Sequence, residues 1–220
     1  MKIRKMKHRQ AERRKQELFL KRCADLAAGI LGLIVLSPLF LIIPLLIKLT
    51  MPGPVFFCQE RAGKDGRTFV ILKFRSMKVD RQAEETHAFA KDPERITPFG
   101  SLMRRAKIDE GPQLLNVIRG DMSLVGPRPT VTEQAKRYTA RQKKRLRMRP
   151  GMTGLAQVNG NAALSWEERI EYDLQYVETF SLGLDMKILV KTILVVLCGE
   201  QAFCRRRGIR TAAERNGIEE

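Results

Sequence analysis

Leu26–Ile47 reads LAAGILGLIVLSPLFLIIPLLI, 22 residues without a charge, with Lys21 and Arg22 on one side and Lys48 on the other. At about 1.5 Å per residue, a helix of that length matches a bilayer core of about 30 Å. A cleaved secretory signal fits poorly. The run exceeds a typical h-region, contains Pro38 and Pro44, and lacks a small-x-small cleavage site before Met51. Ser37-Pro38 falls at its middle, where proline removes an amide donor and clashes with the preceding turn. The limb from Ala27 to Ser37 reaches only about 16 Å, roughly half the core depth. Basic residues continue after the run at Lys48, Arg61, Lys64, Arg67 and Lys73, so both ends carry the positive-inside signature of the cytoplasmic side. Proline also kinks genuine spanning helices. Residue physics alone leaves a spanning and a re-entrant segment level.

Working outward, the first 22 residues hold ten Lys and Arg against two Glu, within a formal net charge of +17. This arm reads as a solvated or lipid-facing helix rather than a core element. Such a charge implies anionic partners: nucleic acid, lipid headgroups or phosphorylated substrates. At 220 residues the chain fits one domain plus a membrane segment. Cys23, Cys58, Cys198 and Cys204 show no CxxC spacing, and the histidines are His8 and His87. No clustered zinc ligands are visible, and reduced thiols in a cytosolic compartment are the simplest reading.

Beyond the apolar run, Val55–Gln59 and Thr68–Leu72 are rich in β-formers, and Gly63-Lys64-Asp65-Gly66 supplies a turn between them. Residues 78–96 are polar, mixed in charge and read as a mobile loop. A helical pattern runs from Phe99 through Arg105, and residues 146–161 are rich in Gly and Pro. Ser165 and Glu168 have capping-box spacing at the start of another helix. The stretch 184–198 is apolar apart from Asp185, Lys187 and Lys191, which suits an interfacial helix.

Three stretches carry candidate chemistry. In Arg104–Asn116, RRAKIDEGPQLLN, Pro112 suits a helical first turn and predicts a helix to about Arg119, stopped by Gly120. Asp109 and Glu110 then stand at that helix's N-terminus, where amides and dipole favour anions. Two adjacent carboxylates suit a magnesium ion bridging to phosphate, although ordinary capping is the simpler reading. In Gly120–Pro129, GDMSLVGPRP, Pro127 and Pro129 stiffen the backbone around Arg128, which suits a bidentate phosphate contact. A rigid turn with a solvated arginine explains the same residues. Arg149–Gly160, RPGMTGLAQVNG, reads as a turn followed by a short strand.

Taken jointly, these segments resemble the bacterial sugar transferases, the small monotopic polyprenyl-phosphate phosphoglycosyl transferases. The likeness covers about residues 18–200 in the family's order: a basic start, an apolar segment with a Ser-Pro break, KFRSM at Lys73–Met77, DEGPQLLNV at Asp109–Val117, GDMSLVGPRP, RPGMTGLAQVNG, and DMKILVKT at Asp185–Thr192. The resemblance implies an α+β, mainly helical fold: a re-entrant helix-break-helix, interfacial amphipathic helices and a short β-hairpin around a small catalytic core. It implies that Asp109 attacks the β-phosphorus of a UDP-sugar and releases UMP. Polyprenyl phosphate, undecaprenyl phosphate in bacteria, then takes the phosphosugar from the aspartate. Glu110 serves as metal partner or proton acceptor, with Mg2+ held by Asp109 and Glu110. Arg104, Lys73, Pro127, Arg128 and Pro129 match substrate-binding positions, and Ser37 and Pro38 match the membrane break, which tips the topology toward re-entrant. The implied place is the cytoplasmic face of the inner membrane, at the first membrane step of a glycan pathway, beside membrane lipids and downstream glycosyltransferases.

Two departures from the family pattern stand out. Gly111 follows the Asp-Glu pair where Leu is frequent, and Asn161 follows Asn159-Gly160 where Arg is frequent; Arg149 or Arg169 is a candidate substitute. The expected organisation is a basic arm at 1–22, a membrane segment at 23–50, a catalytic domain at 51–200 and a polar tail at 201–220. A membrane-anchored nucleic-acid binder needs a reading helix or aromatic–basic interleaving, and neither is visible, so no nucleic-acid partner is expected. The intact Asp109-Glu110 pair likewise disfavours a non-enzymatic scaffold.

Overall fold

The computed structural model describes residues 2–79 and 95–199. Most of the expected loop at 78–96 and the tail at 201–220 lie outside the described residues. One helix, α1 (Lys2–Thr50), carries the basic arm and the apolar run without interruption, with Pro38 and Pro44 inside it. The expected break in helical structure at Ser37-Pro38 is therefore replaced by a continuous helix, and the local chemistry says why. Pro38 lacks the N–H that would reach the carbonyl of Ile34 four residues back. The Ser37 hydroxyl donates to that same Ile34 oxygen at 2.7 Å, so the orphaned acceptor is satisfied.

One side of α1 docks along the rest of the protein. Lys21 Nζ meets Asp185 Oδ2 at 2.6 Å, and both side chains are buried. Arg22 donates to Val117 O at 2.5 Å and to Ile118 O at 2.8 Å, and the Asp25 carboxylate accepts from Leu124 N at 3.0 Å. Farther along, Ile43, Ile47 and Met51 form a buried cluster with Phe74 and Met103. The other side exposes Ile30, Leu31, Ile34, Val35, Leu41, Ile42, Leu45 and Leu49. Within Glu12–Thr50 the most apolar stretch is almost wholly unburied. By length and composition this helix is apolar enough to cross a membrane.

The expected hairpin forms. β1 (Phe56–Ala62) and β2 (Thr68–Phe74) pair antiparallel from Phe56 opposite Phe74 to Ala62 opposite Thr68. Helix α2 (Pro98–Arg105) has Thr97 as its cap, with the hydroxyl accepting from Gly100 N. Helix α3 (Gln113–Arg119) begins after Pro112 and stops at Gly120, whose φ of 93° favours glycine. Arg22 covers the carbonyls at its C-terminus, where the helix dipole favours a cation.

Asn116, fully buried on α3, acts as a strand substitute for the free edge of β2. Its side-chain nitrogen donates to Val70 O at 2.8 Å, and its side-chain oxygen accepts from Leu72 N at 3.1 Å. The edge is thereby closed and α3 is fixed against the hairpin.

Strand β3 (Ser123–Val125) is followed by β4 (Thr130–Val131), which adds to β1 and completes the order β2-β1-β4. Helix α4 (Thr132–Lys136) leads to β5 (Gly151–Thr153), which pairs parallel with β3. Helix α5 (Trp166–Thr179) opens with the expected capping box: Glu168 N donates to the Ser165 hydroxyl, and Ser165 N donates to the Glu168 carboxylate. Helix α6 (Leu182–Cys198) exposes Met186, Val190, Ile193, Leu194 and Leu197. Its Ile188 is buried in a cluster with Val125, Leu155, Tyr176 and Phe180. The protein is thus mostly helical with two small sheets, a long apolar helix at the N-terminal end and a hairpin at the centre.

Candidate functional site

The site forms where the hairpin, the α2–α3 connection and the loop after β3 converge. Lys107 turns the chain with a left-handed φ of 57°, and Ile108–Glu110 then makes one tight helical turn ahead of Pro112. The acidic pair therefore sits in that separate turn just before α3 rather than within it. This placement buries Asp109 to 6% exposure and leaves its Oδ1 without a hydrogen-bond partner. Glu110 reaches β2, where Lys73 Nζ lies 2.6 Å from its Oε1. Arg128 Nη2 lies 3.7 Å from the same oxygen.

Arg128 arrives on a braced loop. Pro127 is buried and Pro129 half-buried on either side of it. A side chain at Gly126 would place a Cβ 2.4 Å from Arg149 O, so only glycine lets β3 and β5 close beneath the loop. From behind, Arg145 Nη2 donates to the carbonyl of Arg128 at 2.9 Å. Arg145 also bonds Asp173, the Tyr138 hydroxyl and, at 2.8 Å, the Thr130 hydroxyl. At 3% exposure this arginine is a structural hub, and nothing in its sequence context distinguished it from solvated basic neighbours.

The two adjacent carboxylates are driven apart electrostatically. Burial, and then the neighbouring Glu110 charge, push Asp109 above the usual aspartate range, against the pull of Lys73, Arg104 and Lys107. Burial also opposes the Glu110 charge, but Lys73 and Arg128 overcome it and hold that group at about 2. Burial pulls Lys73 below the usual lysine range despite Glu110. One carboxylate is thus a fixed anion locked to cations. The other is an under-solvated oxygen with an open valence, the pattern expected of a poised reactive group.

Of the residues singled out from sequence, Asp109, Glu110, Lys73 and Arg128 converge. Arg104 is exposed at the end of α2, and its charge still acts on Asp109. Lys107, absent from the expected set, acts on both carboxylates. The two candidate substitutes for the arginine missing at Asn161 are engaged in the fold instead. Arg149 Nε donates to Gly120 O at 2.7 Å, and Arg169 Nη2 donates to Leu164 O at 2.9 Å. Ser37 and Pro38 lie on α1, where the Ser37 hydroxyl is spent on Ile34 O.

A magnesium ion fits the donor chemistry: Asp109 offers an unpartnered buried oxygen beside a second carboxylate. No group of three or more His, Cys, Asp or Glu side chains forms among the described residues, so phosphate oxygens and water would have to complete the shell.

The bacterial sugar transferase family model matches residues 16–199 of this chain. The uncharacterized sugar transferase EpsL of Bacillus subtilis is 43% identical over 183 residues, covering 83% of this chain and 90% of that protein. A UDP-glucose:undecaprenyl-phosphate glucose-1-phosphate transferase of Caulobacter vibrioides is 41% identical over 191 residues, covering 83% and 72%. A UDP-N-acetylgalactosamine-undecaprenyl-phosphate N-acetylgalactosaminephosphotransferase of Aeromonas hydrophila is 45% identical over 190 residues, covering 82% and 44%. The last two differ in their sugar at similar identity to this chain.

Proposed function

The chain belongs to the bacterial sugar transferase family, and on that premise we propose that it transfers a sugar-1-phosphate from a UDP-sugar to undecaprenyl phosphate or a similar polyprenyl phosphate. The observation that carries this reading is the buried Asp109 oxygen, left open beside a Glu110 that Lys73 and Arg128 hold ionised. A carboxylate short of hydrogen bonds is a stronger nucleophile than a solvated one. The surrounding cations lower the repulsion that an incoming diphosphate would otherwise meet.

The reaction divides into two displacements. Asp109 forms a bond to the β-phosphorus of the UDP-sugar; the bond to the bridging oxygen breaks, and UMP leaves with the electron pair. An oxygen of the polyprenyl phosphate then attacks the same phosphorus and Asp109 departs as carboxylate. Glu110, held at about 2, is a poor proton acceptor, which favours its role as charge partner over that of base. The lipid phosphate needs no base near neutral pH, since a phosphate monoester loses its second proton at about pH 6. Magnesium, held by Asp109 and Glu110 when bound, would neutralise diphosphate charge.

The test is to incubate purified protein with a panel of UDP-sugars. UMP should be released and intact mass should rise by one phosphosugar before any lipid is added. A protein that releases UMP only with lipid present and never gains mass would refute the covalent route. EDTA should abolish release and added magnesium restore it; undiminished activity in EDTA would remove the metal from the scheme.

The same reading places the protein on the cytoplasmic face of the inner membrane, with both ends of the apolar run of α1 on that side. Support comes from docking at both ends of the apolar run: Arg22 and Asp25 upstream, and Ile43, Ile47 and Met51 downstream, all pack on the same small domain. A segment crossing the bilayer would put one of those ends on the far side, away from the domain on which both dock. Cytosolic UDP-sugars also require the Asp109 turn on that side. Single cysteines near Met1 and at exposed Cys58 should both resist a membrane-impermeant maleimide in intact cells. Periplasmic labelling of either would overturn this topology.

A further inference from the structure

Alternate residues of β1 divide cleanly: Phe57, Gln59 and Arg61 are half-buried, whereas Phe56, Cys58 and Glu60 are exposed. The register sets Phe57 opposite Lys73, Gln59 opposite Ile71 and Arg61 opposite Phe69. Gln59 and Arg61 therefore stand on the face of the sheet that carries Lys73, the face turned to Glu110. On the other side of β1, Arg61 lies opposite Val131, three residues beyond Arg128. Arg61 Nη2 donates to Gln59 Oε1 at 2.5 Å, which aims the guanidinium but supplies no charge. Its Nε is buried and has no hydrogen-bond partner.

While the buried Arg75 donates to Met51 O, three other cations of this protein each hold an acid: Lys21 has Asp185, Lys73 has Glu110 and Arg145 has Asp173. Among the described residues Arg61 has none, and the charge nearest to it in effect is another arginine. Burial, and then Arg128, lower its pKa to about 10. Two crowded guanidiniums with an open donor are costly unless an anion completes them, and a phosphate matches their fork geometry.

We infer that Arg61 is a phosphate-binding residue that, together with Arg128, takes the α-phosphate of the nucleotide sugar. This rests on the transferase reading above. Arg128 links the two ends of this face: its Nη2 lies 3.7 Å from Glu110 Oε1, and its charge acts on Arg61. A diphosphate with its β-phosphorus at Asp109 thus extends its α-phosphate toward Arg61. As the Asp109–phosphorus bond forms and the bond to the bridging oxygen breaks, the electron pair stays on the α-phosphate. That group gains one negative charge where two arginines wait. Arg61 accordingly stabilises the leaving nucleotide and not the lipid acceptor.

The experiment compares UMP with uridine, which lacks the phosphate, by calorimetry on the full chain in detergent micelles. Arg61→Gln should weaken UMP by about 10- to 100-fold, the range for a lost charge-assisted contact, and leave uridine unchanged. UMP bound as tightly by Arg61→Gln as by wild type overturns the inference, as does equal weakening of both ligands. If Arg61→Gln does not fold, Arg61→Lys decides by the same UMP-to-uridine ratio. It keeps the charge but loses the fork, and should weaken UMP by about tenfold. Wild-type protein that binds no UMP would instead sink the nucleotide-sugar reading itself, a result distinct from either variant's.

Discussion

Asp109→Asn should cut UMP release by at least about 10³-fold and at the same time make the protein more resistant to heat at neutral pH. The first effect follows because an amide of the same shape cannot displace UMP from phosphorus. The second follows from the sign of the pKa change. Burial and Glu110 raise the folded-state value above that of the unfolded chain. Such a group contributes stability fully below the unfolded value of about 3.9, and that contribution is lost as pH rises through the folded value. At pH 7 the unfolded chain therefore gains more from ionising this carboxyl than the folded chain does, and asparagine removes that difference. A higher Tm than wild type at pH 7, with the gap shrinking toward pH 4, is the expected record. Wild-type turnover should fall as acid protonates Asp109, at a pH above the ordinary aspartate range. An Asp109→Asn protein with near-normal release would refute its assignment as nucleophile. One that melts below wild type at pH 7 would refute the electrostatic argument.

The second large effect is structural. Arg145→Met strands the Asp173 carboxylate in the interior and should cost about 3–5 kcal/mol, the range for one partner of a buried pair. Removing both charges with Arg145→Met and Asp173→Leu should recover most of that loss, since two apolar groups leave no unpaired charge. The carbonyl of Arg128 nevertheless stays ungripped in the double variant, so its UMP affinity should remain weaker than wild type. Thermal melts of the single and double variants check the first point and calorimetry checks the second. A single variant that melts with wild type would show the network to be dispensable.

Much of this was legible in the residues. The β-formers on either side of Gly63–Gly66 anticipated the hairpin, because two runs of β-branched and aromatic residues joined by a glycine turn leave little else to form. Pro112 and Gly120 bracketed α3, since one tolerates a missing donor and the other a positive φ. Ser165 and Glu168 announced the start of α5 through bonds made within four residues. Asp109 and Glu110 were visible as a pair, although their opposite electrostatic characters were not. Burial and the approach of Lys73 from 37 residues away decide those characters.

By itself, the sequence determined what depends on neighbours along the chain: the apolar run, the hairpin, the limits of α3 and the start of α5, the acidic pair and the family. Tertiary structure alone decided which cations are partnered. Lys21 and Asp185 are 164 residues apart and form one buried pair, while Arg145 looked like its solvated neighbours Lys143, Lys144 and Arg147. Arg61 appeared only as one more basic flank of the membrane segment. The strand register turns it onto the face of Lys73, where the charge of Arg128 acts on it and no ion pair with an acid forms among the described residues. Charge carries no address in a sequence, because an ion's energy depends on burial and on partners that only the folded chain brings within a few ångströms.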